Sequence, residues 1–479
     1  MSETLKWTLG LLNNGKYLTQ ETFGNQMNIS SPFLRKKQIF TLEQNPGSSV
    51  VFFLTPNGKY LSAGPKGEFN GAAEEKGKNE EWTVVPQADG RWALKSTHGY
   101  YFGGTEASLH AFGREVGESE KWSIHLAMHP QVCIRNVNRK MYVHLAGEEL
   151  TADEAIPWGH DALVTFEFKG GKYALRASNN KFLDKSGKLV DAVNDDSLYI
   201  IEFNDSQIAL KANDGKYLQG YGPKGALQAR RTQVGKDELF ELEDSHPQFF
   251  LTGQNGKRVS IRQTEEIKAH QAIGDETDAE IFQMELVGSK VAFRSNKGKY
   301  WTSQDGAIKA TSDKRGDTEL FDATWLGHQV ALKASNGKFV AMKPNGSYAA
   351  TGDEIDEIAK ITLTLKNRPQ LVLRCEYGFV ATKAKEAIVA NGVEHEVLSL
   401  EANEGVYAFK SANGKYWKLE GDGSFTATGA APEQFHFEFL LHTRFAIKHV
   451  ASGKYIKGEH QGNFRATSTS VTKDELWEY

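Results

Sequence analysis

The sequence contains little cysteine and no long apolar run. Of its 479 residues only Cys133 and Cys375 are cysteines, and because they fall in different predicted domains we expect no disulfide. No stretch approaches the about 18 consecutive apolar residues of a membrane-spanning helix. The first residues lack the basic and apolar regions of a signal peptide. We therefore expect a protein of the reducing cytoplasm that does not insert into a membrane.

Excess charge of one sign and catalytic motifs are also absent. The formal net charge is −4, so bulk electrostatics favour neither nucleic acid nor a membrane surface. The chain has no His-Glu-x-x-His, no phosphate-binding glycine loop ending in Lys-Ser or Lys-Thr, and no Cys-x-x-Cys. Its acidic residues recur at one place in a repeat, which is typical of loop caps. We expect a protein that is not an enzyme and that uses no metal or cofactor.

The sequence instead repeats one pattern twelve times. An apolar strand ends in a polar turn, Gly-Lys and an aromatic residue follow, and an acidic cluster then leads into another strand. Successive aromatic positions lie 35 to 43 residues apart, a period typical of repeat architectures. These positions, with arginine replacing the aromatic once, are Tyr17, Tyr60, Tyr101, Tyr142, Phe182, Tyr217, Arg258, Tyr300, Phe339, Phe379, Tyr416 and Tyr455.

One repeat in the second half of the chain shows the strands clearly. Gln329–Ala334 alternates apolar and polar residues, Ser335–Gly337 is a turn, and Lys338–Ala341 is the returning strand. Tyr348–Ala350 is a short third strand, and Ile361–Leu365 closes the unit after an acidic loop. The sequence thus predicts an all-β protein. We expect the glycine of the motif to allow the turn, the aromatic to enter a barrel core, and the lysine to point outward.

Twelve such units can be grouped as the blades of a propeller or, three at a time, as β-trefoils. Twelve blades exceed the usual propeller range, and proline interrupts the pattern after every third unit, at Pro130, Pro247 and Pro369. We therefore predict four tandem β-trefoils with pseudo-threefold repeats of about 40 residues. The predicted domains are residues 1–128, 129–246, 247–367 and 368–479. The short junctions predict that neighbouring trefoils pack without flexible linkers.

Several stretches spread over the whole chain match one known family. They are Lys16–Thr19 with Glu21 and Phe23-Gly24, Lys36–Ile39 with Thr41–Gln44, Tyr101–Glu106, Ala127–Val132, Val234–Phe240 and Leu476–Tyr479. In these residues and in its order of four trefoils, the sequence resembles the fascins. The resemblance implies a monomer that crosslinks parallel actin filaments into bundles through at least two faces. It also implies a place in the cytoplasm and cytoskeleton, in actin bundles of filopodia and other cell projections.

The resemblance further implies two groups of binding residues, which should be basic because actin filaments are acidic. Lys36 and Lys37 belong to the strongest basic run, whose plainer interpretation is a solvated strand end. The first face, in a cleft formed by trefoils one and four, comprises Lys16, Arg35, Lys36, Lys37, Arg374, Glu376, Lys383, Lys457 and His460. Tyr377 and Thr382 stand where fascins often have His and Arg, and Phe33 stands where they carry a regulatory serine.

A second face is expected on the middle trefoils, with ordinary surface charge as the alternative for each residue taken singly. Its members are Arg230, Arg231, Lys236, Ser260, Arg262 and Lys343. The competing function is carbohydrate binding, because trefoils often serve as lectins. Such lectins repeat a Gln-x-Trp triplet, which this sequence lacks.

Overall fold

Strands make up the fold. The computed structural model describes residues 4–106, 108–262 and 264–479, and in this part of the chain it contains strands and single 3-10 turns but no α-helix. No helix in the described ranges could span a membrane. The expectation that the first residues form no signal peptide falls partly on residues 1–3, which lie outside the described residues. The all-β prediction is confirmed, and the strands form four sheets.

The first sheet contains twelve strands from the first three repeats. They are β1 (Leu5–Asn13), β2 (Lys16–Gln20), β3 (Met27–Ser31), β4 (Phe40–Gln44), β5 (Val50–Leu54), β6 (Tyr60–Ala63), β7 (Phe69–Ala73), β8 (Trp82–Pro86), β9 (Trp92–Ser96), β10 (Tyr101–Thr105), β11 (Ser108–Gly113) and β12 (Ser123–Leu126). β1 pairs with β4 and also with β12, where Leu9 lies opposite Leu126. The sheet therefore closes on itself, and β2–β3, β6–β7 and β10–β11 form three further hairpins, as in a β-trefoil.

The second sheet repeats this arrangement. Its strands are β13 (Gln131–Asn136), β14 (Met141–Ala146), β15 (Glu149–Glu154), β16 (Val164–Lys169), β17 (Lys172–Arg176), β18 (Phe182–Leu183), β19 (Leu189–Val190), β20 (Ile200–Asn204), β21 (Gln207–Lys211), β22 (Tyr217–Tyr221), β23 (Ala226–Arg231) and β24 (Phe240–Asp244). β13, the first strand, lies between β16 and the last strand, β24. The second sheet is thus also closed by its two terminal strands.

The third sheet closes in the same way. Its strands are β25 (Gln248–Thr252), β26 (Arg258–Ser260), β27 (Lys268–Gln271), β28 (Ile281–Val287), β29 (Lys290–Ser295), β30 (Tyr300–Gln304), β31 (Ala307–Ser312), β32 (Phe321–Leu326), β33 (Gln329–Lys333), β34 (Phe339–Met342), β35 (Tyr348–Gly352) and β36 (Lys360–Leu365). β25 pairs with β28 and with β36, where Phe249 lies opposite Leu365.

The fourth sheet has thirteen strands because its opening strand is divided in two. Its strands are β37 (Gln370–Leu371), β38 (Arg374–Cys375), β39 (Gly378–Thr382), β40 (Ile388–Gly392), β41 (Leu398–Asn403), β42 (Val406–Lys410), β43 (Tyr416–Leu419), β44 (Phe425–Gly429), β45 (Phe435–Leu441), β46 (Arg444–His449), β47 (Lys454–Gly458), β48 (Phe464–Ser468) and β49 (Leu476–Glu478). β38 pairs with β49, the last strand, through Arg374 and Glu478. The four closed sheets bear out the predicted tandem trefoils, and the domain limits themselves stay a prediction.

Short 3-10 turns explain why the acidic residues recur. In the described ranges they are Lys36–Gln38, Lys78–Glu80, Glu118–Glu120, His160–Ala162, Asp195–Ser197, Lys236–Glu238, Asp278–Glu280, Asp317–Glu319, Glu357–Ala359, Ala384–Glu386 and Lys473–Glu475. At five of them a glutamate at the third position accepts the backbone N–H three residues earlier, at 2.7–2.9 Å. These glutamates are buried, because their carboxylates cap turns inside the fold. The sequence-based interpretation of repeated acids as loop caps is therefore confirmed.

The aromatic of the repeated motif is buried at Tyr17, Phe182, Tyr217 and Tyr300 but only partly buried in the other repeats, which corrects the sequence-based expectation that it enters the core each time. The residue that follows the motif aromatic lies in the core in every repeat. All twelve of these following residues are 0 or 1% exposed, for example Leu18, Phe102, Trp301 and Trp417. Successive side chains of a strand point to opposite faces, so only one of the two neighbours can enter the barrel. Six of the motif tyrosines donate a hydrogen bond, at 2.7–3.3 Å, to a glutamate two strands away in the sheet.

The chain divides into two compact units, the first reaching to Ala155 and continuing over Val164–Glu243, the second made of Ile156–Leu163 and Asp244–Tyr479. Each unit contains two sheets joined by a buried tyrosine. In the first unit the Tyr173 hydroxyl donates to the carbonyl of Ile124 and accepts from the N–H of Leu126. The two sheets of this unit therefore pack directly against each other, because a side-chain hydroxyl of one sheet satisfies backbone groups of the other.

The second unit uses the same device. The Tyr407 hydroxyl donates to the carbonyl of Leu363 at 3.2 Å and accepts from the N–H of Leu365 at 3.1 Å. The Phe249 and Phe439 rings meet edge to face beside this junction, with centroids 5.2 Å apart. The third and fourth sheets consequently share one continuous apolar core.

A second contact in this unit involves the half-buried ring of His246, which lies in the segment that leads into the third sheet. Its centroid is 5.4 Å from that of His442, and its carbonyl accepts a hydrogen bond from the guanidinium of the buried Arg368. Burial lowers the pKa of His246 to about 4; Glu285 and Asp244 oppose this shift, whereas His442 and Arg368 reinforce it. A proton on His246 would therefore place a second cation beside Arg368.

We predict that acid destabilises the second unit through His246. The unfolded chain binds this proton below its ordinary pKa of 6.5, whereas the folded chain binds it only below about 4. This contribution to the free energy of unfolding is therefore fully present above about pH 6.5. It is lost as the pH drops from there to about 4, which lowers the free energy of unfolding by about 1–3 kcal/mol. The measurement is thermal unfolding at about pH 7.5 and about pH 5. Between these two values the midpoint temperature of His246→Gln should fall by less than that of wild type. The exposed His460→Gln serves as the control, and equal acid sensitivity of wild type and His246→Gln would contradict the prediction.

Candidate functional site

The basic run of the first face lies on the 3-10 turn that precedes β4. Arg35 is the residue before this turn, and its N–H donates to the Gln38 side chain at 3.0 Å. Gln38 is buried and donates in turn to the Thr19 hydroxyl. The Arg35 guanidinium lies over the Phe33 ring, 5.0 Å from its centroid, while Lys36 is exposed. The buried glutamine thus fixes a turn that presents its cations to solvent.

The other lysines of this half of the first face make exposed ion pairs. Lys37 Nζ lies 2.8 Å from Glu21, and Lys16 pairs with Glu106. The hydrogen bonds from Lys37 and Asn28 hold the pKa of Glu21 below its ordinary value. Exposed pairs of this kind contribute little to stability, so the lysines remain available to a partner.

The members of the first face in the second unit differ in their surroundings. Arg374 is mostly buried and makes a bidentate ion pair with Glu478, at 2.8 and 3.1 Å, between β38 and β49. Because these two strands close the fourth barrel, this pair supports the fold. Glu376 accepts a hydrogen bond from Lys473 at 3.1 Å.

The segment around His460 carries charges of both signs. The exposed His460 ring meets Tyr377 edge to face, with centroids 5.9 Å apart. Lys457 lies 3.7 Å from both Glu459 and Asp474, and the Tyr377 hydroxyl donates to Asp474 at 3.3 Å. The sequence predicted a basic surface here, whereas the structure places acidic and basic groups side by side.

Lys383 joins this segment through an asparagine. Its ammonium donates to the Asn391 side chain at 2.9 Å, and the Asn391 amide donates to the carbonyl of Gln461. The hydroxyl of the neighbouring Thr382, which is partly buried, bonds to Glu396 and Ser411. The second unit therefore brings Lys383 and the His460 segment together and leaves Thr382 without a role at the surface.

The part of the second face on the first unit is a group of three exposed cations. Arg230 lies at the end of β23 and stacks on the half-exposed Tyr221 ring, 3.7 Å from its centroid. Arg231 follows directly, and Lys236 begins the next 3-10 turn. All three cations are exposed, and none makes an ion pair with another described residue. Tyr221 was missed by the sequence analysis: it lies opposite Ala226 in the β22–β23 ladder, and the Arg230 side chain reaches its ring along the hairpin.

The part on the second unit requires one correction. Ser260 is fully buried, and its hydroxyl donates to Glu280, so it cannot contact a partner as the sequence predicted. Burial alone would raise the pKa of Glu280, but hydrogen bonds from Arg262, Ser260 and Thr277 lower it. The Arg262 guanidinium donates to the Glu280 carboxylate at 2.8 Å, so it helps to hold the glutamate that caps this turn. Lys343 is exposed at the turn between β34 and β35.

The two cysteines lie on opening strands of the second and fourth sheets. They form no disulfide with each other; Cys133 is buried on β13, and Cys375 is partly buried on β38. Burial raises the pKa of the Cys375 thiol to about 11. The Cys375 thiol is thus not set up as a reactive thiolate.

Comparison with known proteins identifies the repeated domain. A family model described as "Fascin domain" matches residues 14–124, 132–242, 254–362 and 375–479. Fascin-2 of Bos taurus is 40% identical over 490 aligned residues, which cover 100% of this chain and 99% of that protein. Fascin of Strongylocentrotus purpuratus is 33% identical and covers 99% of each chain. Fascin-3 of Mus musculus is 22% identical and covers 97% of this chain and 95% of that protein.

We predict that Arg374 acts mainly on stability. Arg374→Ala removes two charge-assisted hydrogen bonds from a mostly buried carboxylate between the closing strands, and it should lower the free energy of unfolding by about 1–3 kcal/mol. Lys383→Ala, at an exposed position of the same face, should change it by less than about 0.5 kcal/mol. Thermal unfolding of both variants measures the difference. Equal midpoints would show that the Arg374–Glu478 pair does not hold the barrel closed.

Proposed function

The chain belongs to the fascin family, and from this membership we propose that it is a non-enzymatic protein that binds actin filaments and bundles them in parallel. The observation that carries the proposal is the match of four fascin domains along the chain, with relatives that share its full length. We further propose that it acts as a monomer in the cytoplasm and cytoskeleton, within actin bundles of cell projections.

Crosslinking requires two separate binding surfaces that one rigid body holds apart, and the first unit offers suitable groups. One is the exposed turn with Lys36 and Lys37 beside the first barrel, and the other is Arg230 with Arg231 beside the second. The Tyr173 junction packs the two barrels directly against each other. Cations at two places on one packed body support binding to acidic filaments without dimerisation.

The second unit contributes further residues to the proposal. Lys383, Lys457 and His460 are assigned to the first face, and Lys343 with Arg262 to the second. Glu376 and Arg374 are assigned supporting roles, because they bond to Lys473 and Glu478 of the same barrel. We retain residues 1–128, 129–246, 247–367 and 368–479 as the four domains, a division supported by the four closed sheets.

A carbohydrate-binding function is the second candidate, and it rests on fold alone. No residue pattern favours it, since the repeated Gln-x-Trp of trefoil lectins is missing. Binding to a glycan array, together with failure to bind filaments, would favour this candidate over actin bundling.

We predict that Lys37→Glu weakens filament binding by about 10-fold, because it replaces an attractive charge by a repulsive one at an acidic partner. High-speed co-sedimentation measures binding, and low-speed co-sedimentation measures bundling. The loss should be smaller at high salt, where screening shortens the range of the charge. Lys66→Glu, the same change at another exposed lysine of the first barrel, is the control.

The wild-type protein provides the decisive result. If it pellets filaments at neither speed, the proposed function is wrong. If Lys37→Glu and Lys66→Glu reduce binding equally, net charge and not a specific face is responsible.

We predict a different outcome for the double variant Arg230→Glu/Arg231→Glu. It should bind single filaments within about twofold of wild type, while the filaments pelleted at low speed fall about 10-fold, because one of two crosslinking surfaces is lost. Comparing the two speeds separates binding from bundling. Normal bundling by this variant would remove Arg230 and Arg231 from the second face.

A further inference from the structure

The most exposed large apolar side chain of the described residues is Phe23, whose residue surface is 88% accessible. The next most exposed aromatic in these ranges, Phe112, reaches 56% and stacks on His110 with ring centroids 4.0 Å apart. Phe23 has no such ring contact among the described residues, and it lies in the loop between β2 and β3. An aromatic ring held in water marks a surface that a partner covers.

The loop that carries Phe23 is fixed at both ends. The Glu21 N–H donates to the carbonyl of Gln26 at 2.8 Å. The Asn57 side chain donates to the carbonyl of Glu21 at 3.0 Å and to the Asn25 side chain at 3.1 Å. Gln20, at the base of the loop, is fully buried and accepts from the N–H of Asn57. Because both ends are tied to a neighbouring repeat, the ring is presented outward with little conformational freedom to lose on binding.

This loop is also tied to the basic turn of the first face. Lys37 lies 2.8 Å from Glu21, two residues before Phe23, and Asn28 donates to the same carboxylate at 3.2 Å. The exposed ring and the exposed lysines are therefore neighbouring parts of one surface. An apolar side chain surrounded by polar and charged groups is the usual arrangement of a binding hot spot.

We propose that Phe23 is the apolar anchor of the first face, and that it fits into an apolar depression with an acidic rim on the actin filament; this inference rests on the proposed function. The charges select this occupant over a second copy of the chain. A symmetric dimer through Phe23 would bring Lys36 and Lys37 of both copies close together, and like charges would oppose it. An acidic filament attracts the same lysines.

The test compares Phe23→Ala with wild type in high-speed co-sedimentation with filamentous actin. The dissociation constant should rise about 10-fold or more, as expected when a buried phenylalanine is removed from an interface. Phe23→Trp should restore most of the affinity, and Phe112→Ala, a matched exposed aromatic in the same barrel, should leave it within about twofold. The thermal midpoint of Phe23→Ala should equal that of wild type, because the ring contributes little to the folded core.

Salt separates this contact from the charges around it. The ratio of wild-type to Phe23→Ala affinity should stay constant between low and high salt, whereas the ratio for Lys37→Glu should shrink. If wild type does not pellet with filaments, the proposed function fails and this inference fails with it. If wild type pellets and Phe23→Ala binds within about twofold of it, the inference alone is overturned. A wild-type dimer that Phe23→Ala abolishes without any change in filament binding would equally overturn it.

Discussion

The structure depends on the pairing of the first and last strand of each sheet. Without the contact of β1 with β12, or of β38 with β49, each group of three repeats would be an open sheet with two free edges. Closure removes these edges and creates an interior, which is filled by every second side chain of each strand. In the fourth barrel the pairing is reinforced by the ion pair between Arg374 and Glu478, one residue from each closing strand. Arg374, which the sequence analysis assigned to a binding face, thus stabilises the closure of its own barrel.

Closure also decides which parts of the repeats are free for function. The residue after each motif aromatic fills the barrel, the motif tyrosine bonds to a glutamate at the side, and buried glutamates cap the turns before the closing strands. Other side chains of the turns and strand ends carry none of these duties. The exposed cations Lys36, Arg230 and Arg231 and the exposed ring of Phe23 all lie there. A rigid scaffold with variable loops is the usual way in which one fold supports binding.

Local charge matters more here than the net charge. The chain as a whole is slightly acidic, at −4, yet Arg230 and Arg231 form an exposed basic group with no ionic partner among the described residues. Around His460, in contrast, Lys457 lies 3.7 Å from both Glu459 and Asp474, so this surface carries charges of both signs. Mixed charge of this kind favours specificity and register over simple attraction.

The sequence by itself determined the number of repeats, the all-β class and the grouping by threes, because strand alternation, turn glycines and junction prolines are local signals. It also identified the Lys36-Lys37 turn as a cationic surface, since neighbours in sequence stay neighbours in space. Tertiary structure decided the rest. Burial of Ser260 and the bidentate pair of Arg374 depend on strand register, and the stacking of Arg230 on Tyr221 depends on how the arginine side chain lies along its hairpin. A shift of one residue exchanges the inward and outward faces of a strand, and only closure of the barrel selects between them.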